Sequence, residues 1–134
     1  MVLQSRVAIV TSYVHDTIVL SYSADFEART LYILTKTEDG QRVSISFTGL
    51  MAHFFENVIL DNILSGMDEI TTDGFFKKYS ALLNRSMPYG FPASLSIEDL
   101  QKRMEHEHIR VFVIDSSLGL CGFVLALEVK VQCL

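Results

Sequence analysis

Apolar and polar residues alternate with a period of two along the first third of the chain. Val7, Ile9, Thr11 and Tyr13 alternate with Ala8, Val10, Ser12 and Val14, and residues 17–22 resume the pattern after His15-Asp16. A period of two with β-branched residues predicts strands. His15-Asp16 fits either a tight turn or the middle of one long strand. Residues 25–29 form a polar break. Between residues 30 and 48, two β-rich runs flank Glu38-Asp39-Gly40-Gln41. Asp-Gly suits the positive φ angles of a two-residue type I′ hairpin. Such a turn sets Leu34 opposite Ile45 and Tyr32 opposite Phe47, with Ser44 and Ser46 on the other face. Apolar residues then meet apolar ones, as an antiparallel sheet with one wet face requires.

Residues 50–70 satisfy two patterns. Phe55, Ile59, Ile63 and Met67 recur every four residues, as on a helix that Gly66 ends. The same stretch also divides into strands over 50–55 and 62–70, joined across Glu56-Asn57. No strong N-cap precedes it beyond Thr48, and Gly49 stands at its entrance, so strands are the preferred reading. Helix signals follow. Thr72 or Asp73 caps a segment whose Phe75, Phe76, Tyr79, Leu82 and Leu83 share one face, and Pro88 marks its end. Ser96 opens a shorter helix with Asp99 in the capping-box position. Two strands close the chain, over 109–114 and about 122–131, around a turn at 116–122. The order predicts a single α+β domain over residues 1–134. It has a mainly antiparallel sheet of about six or more strands and two helices, near 72–86 and 96–107, packed on one face.

Composition narrows the function classes. A chain of 134 residues with 49% apolar and 20% charged residues is long enough for one core. The 11 basic residues against 16 acidic ones give a net charge of −5. A nucleic-acid binder needs clustered positive charge, so that class is disfavoured. The longest apolar run, 118–127, is half the length of a membrane-spanning helix and predicts a core strand. Cys121 and Cys133 fit neither a CxxC redox pair nor a zinc knuckle. They read as free, buried thiols in a reducing cytoplasm.

The candidate chemistry is thin. Glu105-His106-Glu107-His108 spaces its histidines by two, against the i, i+4 of helical zinc ligands, and reads as a solvated helix C-terminus. Gly119-Leu-Cys-Gly122 lacks the final glycine of a nucleophile elbow, because position 123 is Phe. Asp68 and Glu69 are adjacent and face opposite ways on a strand. No catalytic residue, metal site or cofactor is assigned. The charge pattern says more: residues 43–76 hold five acids, Glu56, Asp61, Asp68, Glu69 and Asp73, and no Lys or Arg. A like-sign patch steers a basic partner.

The sequence therefore predicts a non-enzymatic cytoplasmic module that binds another protein, a basic one or a second copy of itself, with those five acids as the contact surface. One concrete form is an immunity or antitoxin-like protein that neutralises a basic domain, by analogy of size and charge. The alternative is a small-molecule binder. Its pocket would lie between the sheet and the helix bearing Phe75 and Phe76, under a lid carrying Tyr89 and Phe91.

Overall fold

The computed structural model describes residues 2–4 and 14–134. The alternation from Val7 to Tyr13 lies outside the described residues. His15-Asp16 is a turn, with Asp16 at φ 57°. The strands are β1 (Val2–Gln4), β2 (Thr17–Asp25), β3 (Thr30–Lys36), β4 (Arg42–Thr48), β5 (Ala52–Glu56), β6 (Ile63–Ile70), β7 (Arg110–Leu118), β8 (Cys121–Ala126) and β9 (Glu128–Cys133). Helices α1 (Thr72–Lys78) and α2 (Ser80–Ser86), a 3-10 turn (Met87–Tyr89) and α3 (Ile97–Glu107) separate β6 from β7. All strand pairs are antiparallel, in the order β1-β9-β4-β3-β2-β6-β7-β8-β5. The α+β expectation holds, and residues 50–70 are strands joined by a loop.

The β3–β4 hairpin forms one register away from the expected one. Ile33 pairs with Ile45 and Leu31 with Phe47, while Leu34 and Tyr32 pair with Ser44 and Ser46. The Thr37 N–H donates to the Gln41 carbonyl (2.9 Å) and the Gly40 N–H to the Thr37 carbonyl (3.0 Å), with Gly40 at φ 90°. The loop therefore has three residues and places its single positive-φ glycine last. A slip of one residue exchanges the two faces of a strand. Here it turns Leu31 and Ile33 inward and leaves Tyr32 outside.

The β9–β4 pair, next to one end of the strand order, meets the β8–β5 pair at the other end through the chain itself. β4 and β5 are consecutive, β8 and β9 are consecutive, and β4 runs along β9 while β5 runs along β8. The ladder continues across both corners, from the Met51 N–H to the Leu125 carbonyl (2.8 Å) and from the Leu127 N–H to the Thr48 carbonyl (3.0 Å). The sheet thus curls round on itself. Leu31, Ile33, Val43, Ile45, Phe47, Phe112, Ile114, Val124, Val129 and Val131 fill its interior.

A second core lies outside the curl, where the helices cover β7 and β8. Val111, Val113, Phe123 and Leu125 point outward and pack against Phe75, Leu83, Met87, Leu100 and Met104. Both faces are therefore buried over residues 111–114 of β7 and 122–126 of β8, so these stretches run apolar without alternation. The cap of α1 is Thr71 rather than Thr72 or Asp73, its side-chain oxygen accepting from the Gly74 N–H (3.0 Å). The expected single helix over 72–86 is broken at Tyr79, whose φ is −111°. Ser96 caps α3 as predicted, accepting from the Asp99 N–H (3.0 Å). No helix among the described residues is long and apolar enough to cross a membrane.

Candidate interaction surface

The aromatic residues expected around a pocket are packed ring on ring. Phe75 is fully buried, 4.9 Å from Phe123 between ring centroids and edge-on to it. Phe76 lies against Phe75 (5.5 Å), and Phe91 reaches both Phe54 (6.4 Å) and Phe123 (6.2 Å). Phe91 thus closes the helical layer as a lid tucked onto the core. Tyr89, from the same loop, points the other way and is 87% exposed. Among the described residues no cavity opens between sheet and helices.

The five acids do not form one cluster. Glu56 and Asp61 flank the loop between β5 and β6, at one end of the curled sheet. Glu69 and Asp73 lie near the other end, with the length of β6 between, about 25 Å for eight residues of strand. Asp68 pairs with Val113 and shares its outward face, whereas Glu69 pairs with Phe112 and shares the inward one. Glu69 is held by Arg110 through two hydrogen bonds, Nη2 to Oε1 (2.7 Å) and Nε to Oε2 (3.1 Å). The Arg110 guanidinium also stands over the Phe112 ring at 5.0 Å. The hydrogen bonds to Glu69 raise the Arg110 pKa. Glu56, Asp61, Asp68 and Asp73 are exposed, with no ion pair among the described residues.

The residues that the sequence reading passed over are the aliphatic ones between Glu56 and Asp61. Leu60 is 90% exposed, and Val58 and Ile59 are 43% and 47% exposed. They are not slack. Asn62 is buried beneath them, and its side-chain oxygen accepts from the N–H groups of Ile59 (3.0 Å) and Leu120 (2.8 Å). Its Nδ2 donates to the Ile59 carbonyl (2.7 Å). Gly119 lets the β7–β8 turn come this close, since a Cβ there would stand 2.3 Å from the Asn62 oxygen and 2.8 Å from Ile59. The neighbouring surface is apolar too. The Val19 N–H donates to the Asn62 carbonyl (2.9 Å), bringing Leu20 alongside. Ile18, Ile63 and Leu118 sit side by side across β2, β6 and β7. Leu20 and Leu118 are 40% and 48% exposed. The one sequence signal for this end was three consecutive aliphatics framed by two acids.

The remaining titratable groups are scattered. Cys121 and Cys133 are free and both only partly buried, a departure from the buried thiols expected. Cys121 begins β8 at the sheet's rim, with Sγ 3.9 Å from a Glu56 oxygen and from Asn57 Nδ2. Burial, with Asp115, Cys121 and Glu56 adding to it, pushes the Tyr79 hydroxyl up to about 12. Burial lowers the pKa of His53, whose ring lies 5.2 Å from Phe55. His106 is on the last turn of α3 and His108 ends it at φ 59°, both exposed. The described residues include no group of three His, Cys, Asp or Glu placed to hold a metal. Comparison with protein-family models, curated proteins and solved structures returned no match.

Proposed function

We propose that this protein is a non-enzymatic module that binds another protein and uses its acidic surface to capture a basic one. The observation that carries the reading is the set of exposed acids, Glu56, Asp61, Asp68 and Asp73, with no cation paired to them among the described residues. Charges left open to solvent in this way raise the rate of encounter with an oppositely charged surface. Glu69 has a structural part instead, through Arg110. A compact immunity or antitoxin-like protein acting on a basic domain is one form this takes, and the unbridged cysteines suit a cytoplasmic setting.

Affinity purification from the native host, followed by mass spectrometry, tests the reading. The full chain is expected to retain one basic protein, and Glu56→Gln/Asp61→Asn/Asp68→Asn/Asp73→Asn is expected to release it. Equal capture by both chains, at low and at physiological salt, removes the electrostatic reading.

A further inference from the structure

We infer that the end of the sheet carrying Leu60 is the anchor for that partner, and that it takes a cationic amphipathic segment: large apolar side chains on the aliphatic patch, Lys or Arg at its acidic margin. The inference rests on the protein-binding reading and adds to it a place and a binding mode.

Two features of the patch support a built site. Its apolar residues are held in water by a buried device, because Asn62 fixes the loop to itself and to the β7–β8 turn through three hydrogen bonds. A loop that merely tolerated exposure would not need that anchoring. A preordered apolar surface loses little conformational freedom on binding, which favours affinity. The patch also extends beyond the loop to Ile18, Ile63 and Leu118, side by side on β2, β6 and β7. A stable complex buries roughly 800 Å² per partner with a polar rim around its apolar centre, so the surrounding polar groups have to take part.

Those surrounding groups select the occupant. Glu56 and Asp61 bracket the loop, and Asp115 stands on β7 beside the turn. The segments that meet here, residues 17–20, 56–64 and 115–121, contain no Lys or Arg. A second copy would bring the same acids against themselves, and an anionic membrane would be repelled. A cationic segment with apolar anchors meets both the charge and the greasy centre.

The test uses the full chain and three synthetic helical peptides of equal length, followed by fluorescence anisotropy. One peptide has Leu on one face and Lys on the other, one has Leu and Glu, and one has Lys with Ser in place of Leu. The Leu/Lys peptide is expected to bind best. Leu60→Ser, 90% exposed and so without effect on folding, is expected to weaken it about tenfold, as for an anchor residue. Glu56→Gln/Asp61→Asn is expected to weaken it several-fold and flatten its salt dependence, while Asp73→Asn, at the other end of β6, leaves it unchanged. Equal affinity for all three peptides, or a Leu60→Ser chain that binds like the parent, overturns the inference. So does a concentration-dependent dimer in light scattering that Leu60→Ser abolishes, which makes a second copy the occupant. If Leu60→Ser keeps the native partner while neutralising the four acids loses it, this site is wrong and the broader reading stands.

Discussion

The side-chain oxygen of Asn62 accepts a hydrogen bond from the backbone N–H of Leu120 at 2.8 Å, across 58 residues of sequence. The same oxygen also accepts from Ile59, so one buried amide ties the exposed aliphatic loop to the turn that joins β7 and β8. Replacing Asn62 by Ala strands two N–H groups and one carbonyl with little water to satisfy them. The expected loss is about 3 kcal/mol, read as a lower urea midpoint at unchanged slope. Hydrogen exchange at Ile59 and Leu120 should accelerate more than exchange in β3 or β4. Uniform acceleration would show that Asn62 acts through global stability alone.

Gly122 pairs with Phe55 where β8 runs against β5. A Cβ there would stand 1.8 Å from the Phe54 carbonyl oxygen, so backbone rather than a flexible side chain is in the way. Gly122→Ala is expected to cost several kcal/mol, on the order of 3–5, or to prevent folding. Gly90→Ala serves as the comparison, because nothing lies within 4 Å of its Cβ position. Its cost should stay near the roughly 1–2 kcal/mol of a left-handed backbone. Equal losses at the two positions would contradict the close approach.

The His53 imidazole, half-buried beside Phe55, has its pKa lowered by burial from the usual 6.5. Below about 6.5 the unfolded chain takes up a proton that the folded chain resists. The stability due to neutral His53 is thus complete above that pH, declines as pH falls toward the folded value, and levels off beneath it. Melting temperatures from pH 8 to pH 5 should drop more steeply for the parent chain than for His53→Gln. Parallel curves would remove His53 as the cause.

Glu69 separates structure from contact. Its two bonds to Arg110 lie on a partly exposed surface, with side-chain exposures of 32% and 25%. Glu69→Gln should cost about 1 kcal/mol in chemical denaturation. Capture of the native partner should be unchanged. Loss of capture at intact stability would return Glu69 to the contact surface.

Much of the local structure was written in short-range pattern. The hairpin between residues 30 and 48, the cap at Ser96 and the apolar run of β8 each follow from neighbouring residues. The strands of residues 50–70 were legible only as one of two readings, because Phe55, Ile59, Ile63 and Met67 fit a helical period as well. Long-range pairing with β8 and β7 resolved that choice by giving the backbone partners that a local pattern cannot specify.

By itself the sequence determined an acidic, antiparallel α+β chain with helices on one side, since alternation, caps and charge are local properties. Tertiary structure alone decided three further points. The hairpin register depended on which face of β3 the core required, and that placed Tyr32 outside and Ile33 within. Closure of the sheet depended on β4–β5 meeting β9–β8, a pairing between distant segments. The fate of the acids depended on neighbours brought in from elsewhere: Arg110 engaged Glu69, and the loop anchored by Asn62 left Glu56 and Asp61 framing an aliphatic surface. A linear stretch of charge became two separate ends because a strand of eight residues runs between them.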